Sequence, residues 1–137
     1  MWWIYALLSA FFASLTAIFA KVGITNVNSD LATAIRTVVI LIVAWAIVFA
    51  RSEQRGLSTL SKHNIIYLVI SGLATGLSWI FYFKALQLGN VSKVAPVDKL
   101  SVALTIVLAA VFLKEIITIK IAIGAMLIIA GTMVLIL

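Results

Sequence analysis

Apolar residues run along the chain in five long stretches, at 2–20, 31–50, 65–83, 94–113 and 116–137, and the polar residues gather in the short segments between them. A bilayer hydrocarbon core of about 30 Å takes about 20 apolar helical residues per crossing, so each stretch predicts a membrane-spanning helix. The pattern therefore predicts an all-α integral membrane bundle of five transmembrane helices, a single domain over residues 1–137. Between the helices lie a loop at 21–30, a polar stretch at 51–64, a turn near 88–93 and a very short turn at Lys114 and Glu115. None leaves room for a soluble catalytic domain.

The fourth stretch is interrupted, because Asp98 and Lys99 leave uninterrupted apolar sequence only over 100–113, a length also compatible with a re-entrant segment. A full span is expected, with Ser92 as N-cap and Pro96 in or near the first turn, where backbone donors have no partner to lose.

Composition agrees with lipid as the solvent: 137 residues are 65% hydrophobic, with mean hydropathy +1.28. The net charge of +6 is scattered over loops and helix ends rather than gathered in a basic patch, which argues against nucleic acid. With no cysteine, the chain has no disulfide framework or thiolate metal site, and the single His63, expected in the longest loop, has no second histidine for a metal pair. No metal or other cofactor is expected. The first stretch lacks a basic leader and is longer than a signal-peptide core, so it reads as a retained helix.

Charges inside the stretches point to function. Arg36 and Asp98 each lie about six residues inside helices that begin, by alternation, on the same membrane side, which places both roughly 9 Å below it at 1.5 Å per residue. Long cationic side chains near helix ends can snorkel, the plain reading for Lys21 and Lys84. Arg36 and Asp98 resist it, since a charge within a span costs roughly 2.5–3.5 kcal/mol even on gentle insertion scales. They form either a structural pair or a substrate or coupling site, with Lys99, Lys84 and Lys21 as further candidates.

Smaller polar residues suggest a lining. Ser71, Thr75, Ser78 and Tyr82 recur at helical spacing in the third stretch, and Asp98, Ser101 and Thr105 do so in the fourth. Hydroxyls that bond back to their own helix are the alternative. Gly72 and Gly76, a GxxxG pair, and Gly124 and Gly131, a heptad apart, read as close-packing surfaces. Trp2, Trp3, Tyr5 and Tyr67 fit an interfacial belt. Arg51, Arg55, Lys62, Lys114 and Lys120 favour a cytoplasmic N-terminus, but counting Arg36 and Lys99 makes the charge balance a tie, five on each side, which leaves dual topology open.

The segments "AIFAKVGI", "LATAIRT", "SGLATGLSWIFYFKALQLGNVSKVAPVDKLS" and "FLKE" together resemble EamA-type proteins of the drug/metabolite transporter superfamily, across essentially the whole chain. The likeness is to the short five-helix bacterial members, equivalent to half of a ten-helix inverted-repeat transporter. It implies a homodimer, possibly antiparallel, in a bacterial cytoplasmic (inner) membrane, contacting lipid and a small-molecule substrate. The carboxylate that small multidrug-resistance proteins of that superfamily carry in helix one is missing here. So is the glutamate that ten-helix members often place beside the helix-four proline, where this chain reads Ala95-Pro96. Glu115 matches a common glutamate before helix five, and a salt bridge to Lys114 or Lys120 is expected.

These readings converge on secondary transport of small polar metabolites by alternating access, with Arg36 and Lys99 offering positive charge to an anionic or zwitterionic solute. The alternatives are a membrane assembly component without transport, and a flippase for a lipid-linked polar group. No phosphate-binding loop, metal cluster or nucleophile–histidine arrangement supports an enzyme.

Overall fold

The computed structural model describes every residue from Met1 to Leu137 and is helical throughout. Its elements are α1 (Trp2–Gly23), α2 (Ser29–Ala50), a 3₁₀ segment (Glu53–Thr59), α3 (Lys62–Leu88), α4 (Val91–Asp98), α5 (Leu100–Phe112) and α6 (Ile119–Ile136). With α4 and α5 taken as one span, five helical spans are long and apolar enough to cross a membrane. Large apolar side chains stay exposed along all of them, as a fold solvated by lipid requires.

Helix starts follow local capping chemistry. Asn28 adopts an extended conformation and its side-chain oxygen accepts from the Asp30 and Leu31 amides at 2.8 and 3.3 Å, so α2 opens at Ser29. Ser61 accepts from the Asn64 amide at 3.1 Å, and α3 consequently begins at Lys62. This corrects the expected loop position of His63, which lies in the first turn of α3 with its ring centroid 4.6 Å from that of Tyr67. Thr118 caps α6 by accepting from the Ile121 amide at 3.3 Å.

The fourth span differs from expectation. Its N-cap is Asn90 rather than Ser92, since the Asn90 carbonyl already accepts from the Val94 amide at 2.9 Å. Pro96 consequently stands inside α4, past the turn where a missing N–H costs nothing, and the helix divides at Lys99. The Lys99 amide approaches the carbonyls of Ala95 at 3.3 Å and Pro96 at 3.1 Å, a tightened turn between two helical pieces. The turn before α6 is also longer than expected. Lys114 takes a left-handed conformation (φ 57°) that ends α5, the Glu115 amide returns to the Ala109 carbonyl at 3.3 Å, and non-helical chain runs to Thr118. Glu115 makes no ion pair with Lys114 or Lys120; the left-handed turn at Lys114 and the non-helical chain to Thr118 remove the helical spacing that would bring these side chains onto one face.

The chain forms two compact units. One comprises residues 19–87; the other comprises 1–18 with 88–137. In the first, the end of α3 is tied to the connection between α1 and α2. Lys21 donates its ammonium to the Leu86 carbonyl, and the Gln87 side-chain amide donates to the carbonyls of Ile24 and Val27. The Leu86 carbonyl belongs to the last turn of α3, where helix carbonyls lack partners of their own, while Ile24 and Val27 lie in the connection between α1 and α2. In the second unit α6 packs on α4 and α5. Lys93 donates to the Ile136 carbonyl at 3.2 Å, and the buried Thr132 hydroxyl lies 2.8 Å from the Ile128 carbonyl and 3.3 Å from that of Pro96.

Candidate functional site

In the unit of residues 19–87 the informative contact joins α2 to α3. Ser29, Thr33 and Arg36 recur at i, i+4 and i+7 on α2, and Trp79, Phe83 and Leu86 do so on α3. Phe83 and Leu86 are fully buried, at 1% and 0% exposure. The Arg36 guanidinium carbon stands 4.3 Å from the Phe83 ring centroid and 5.5 Å from that of Trp79, both within cation–π range. Arg36 itself is half-buried.

Neighbouring hydroxyls are committed elsewhere. Thr33 donates to the Ser29 carbonyl and Thr37 to the Thr33 carbonyl, each at 2.9 Å, so their protons stay within α2. Within its unit Arg36 has neither a salt bridge nor a hydrogen bond. The aromatic faces hold a cation whose N–H edge is unpaired there.

The other charged centre, in the second unit, has a different character. Asp98 ends α4, Lys99 is the turn residue, and their side chains form an ion pair at 3.2 Å with 33% and 58% of each exposed. Adjacent residues thus balance each other at the break in the span.

The remaining sequence candidates fall in several places. Lys21 is engaged with the end of α3, whereas Lys84 is exposed one turn before that end. On the α3 stripe Ser71, Thr75 and Ser78 are exposed and Tyr82 is half-buried; Thr75 donates to the Ser71 carbonyl at 2.9 Å. Ser101 and Thr105 on α5 are exposed, and Thr105 donates to the Ser101 carbonyl at 2.8 Å. A methyl group placed on Gly72, Gly76, Gly124 or Gly131 would meet no atom within 4 Å, so these glycines pack against nothing inside the chain.

Trp79 and Phe83 were not among the sequence candidates. The available signal is an i, i+4 aromatic pair in the same helix as the hydroxyl stripe, although nothing in a single apolar helix says which aromatic faces a cation.

Comparison with known proteins addresses identity. The chain is 48% identical over 134 residues to a Sinorhizobium sp. protein described as "Uncharacterized transporter in cobO 3'region", covering 98% of this chain and 95% of that one. No solved structure shows significant similarity. The EamA-like transporter family matches residues 1–137 in full. With five helical spans built for lipid and a family match from end to end, the chain belongs to the EamA-like transporter family and is a multi-pass membrane transporter, not an enzyme.

Proposed function

We propose that the protein is a secondary transporter that moves a small polar metabolite by alternating access, with Arg36 as its principal substrate contact. The observation that carries this reading is a guanidinium inside a membrane span, seated on the Phe83 ring and without an ion pair in its own unit. A charge in that position is costly and usually meets a partner or a water-filled route. Asp98 and Lys99 form the second polar centre, at a helix break of the kind that lets transporters expose polar groups within the bilayer.

The working unit in this proposal is a homodimer, in parallel or antiparallel arrangement, in the bacterial cytoplasmic membrane. Gly72 and Gly76 support it, because their open surface on α3 admits a closely packed helix that the chain does not itself supply. Purified protein in liposomes, assayed by counterflow against a panel of small carboxylates, amino acids and amines, should show saturable flux of one class. Gly72→Leu combined with Gly76→Leu should reduce both cross-linked dimer and flux. Absence of saturable flux across the panel in correctly inserted protein would count against transport.

A further inference from the structure

We infer that the Arg36 edge is a receptor for an oxyanion, carboxylate or phosphate, and that Phe83 and Trp79 are the residues that aim it. This rests on the transporter reading and names the chemistry that the same site takes.

A guanidinium is a flat ion with two faces and an edge, and its five N–H donors all point outward in the plane. The Phe83 ring, 4.3 Å from the guanidinium carbon, and the Trp79 ring at 5.5 Å interact with the charge while offering no oxygen acceptor to the N–H groups. A lysine held in the same position would keep the charge but lose the fork and the stacking.

The acidic groups of the unit lie elsewhere. Asp30 is six residues before Arg36, off the Ser29–Thr33–Arg36 stripe, and lies 3.4 Å from the Ser29 hydroxyl. Glu53 belongs to the 3₁₀ segment beyond the far end of α2. The Thr33 and Thr37 protons are held by backbone carbonyls. Tyr82, one residue before Phe83, is the titratable side chain that interacts electrostatically with Arg36, which still makes no hydrogen bond in its unit. A planar or tetrahedral oxyanion matches the fork with two parallel hydrogen bonds in which both partners are charged, where water offers single bonds to a neutral acceptor.

Two sources of that chemistry reach this position. Arg36 is seven residues from the start of α2, about 10 Å along the axis, and helical side chains tilt toward the N-terminus. A dissolved carboxylate entering the transport route and the phosphodiester of a lipid headgroup both present the same pair of oxygens.

Trp79 provides the readout. Trp2→Phe, Trp3→Phe and Trp45→Phe leave it as the sole tryptophan. In maltoside micelles, which contain no phosphate, acetate titrated at constant ionic strength against chloride should shift Trp79 emission saturably. Arg36→Lys should weaken the apparent affinity by roughly tenfold or more, the loss of one charge-assisted hydrogen bond, and Arg36→Gln should abolish the response. Helix content by circular dichroism checks that both variants fold. If acetate still binds after phosphatidylcholine is added, the receptor serves a solute; if phosphatidylcholine alone shifts the emission and blocks acetate, it serves a headgroup. Both results uphold an oxyanion receptor. No saturable shift with either ligand, or an equal shift in Arg36→Gln, overturns it. Flux that survives in Arg36→Gln without any titration would sink the receptor and spare the transporter, whereas titration without flux in the parent would do the reverse.

Discussion

Arg36 on α2 and the Asp98–Lys99 pair between α4 and α5 are both charges inside apolar spans, yet each unit accommodates its charge by a different physical route. Arg36 is held by ring faces, which stabilise a cation without neutralising it. Asp98 and Lys99 neutralise each other across adjacent residues, at a point where Pro96 has already weakened the helix. Ring support leaves net positive charge and free donors, whereas self-pairing leaves neither in excess. The first arrangement suits recognition of a ligand, and the second suits a bend that keeps its own charge balanced.

The sharpest way to break this contrast is to neutralise each centre in turn. Arg36→Gln should lower flux in proteoliposomes by at least about a hundredfold, because two hydrogen bonds to a charged group are worth roughly 1.5–3 kcal/mol each. Asp98→Asn should lower it by less than about tenfold, since the long Lys99 stem can carry its ammonium to the nearby headgroup layer once its partner is neutral. Equal losses in the two variants would dissolve the distinction. At the next level, Phe83→Leu should cost about 1–2 kcal/mol of ligand binding, roughly fivefold to thirtyfold, and Trp79→Leu less, because its ring lies farther from the guanidinium carbon. Titration of acetate in each variant measures the order, and a larger effect at Trp79 would reverse the assignment of the two rings. The smallest expected effect belongs to the bend. Thr132→Val removes the hydroxyl that lies 3.3 Å from the Pro96 carbonyl, and helix–helix hydrogen bonds of this kind average about 0.6 kcal/mol in membranes, so thermal unfolding should move by only a few degrees.

What the sequence made legible was the part governed by transfer from water to lipid. All five spans are visible in the apolar stretches, and their ends move by a few residues because caps such as Asn28, Ser61 and Thr118 act through local hydrogen bonds that hydropathy does not register. The division of the fourth span was half visible, as Pro96 and the Asp98–Lys99 interruption were plain while the N-cap was misplaced by two residues. That shift decided whether Pro96 fell in the first turn or inside the helix. Arg36 stood out because a charge among apolar residues is conspicuous. Phe83 and Trp79 did not, since an aromatic residue that supports a cation and one that faces acyl chains look alike until helix rotation is known.

Helix α3 carries a consequence for depth in the membrane. Its 27 residues extend about 40 Å, against a hydrocarbon core of about 30 Å, and its ends carry Lys62, His63 and Asn64 on one side and Lys84 and Gln87 on the other. The apolar stretch 65–83 accounts for about 28 Å of that length, close to the core itself, so the polar ends fall in the headgroup layers on either side. Phe83 is the last residue of that stretch and Trp79 lies one turn inside it, so the seat of the Arg36 cation stands at the rim of the hydrocarbon layer rather than at its midplane.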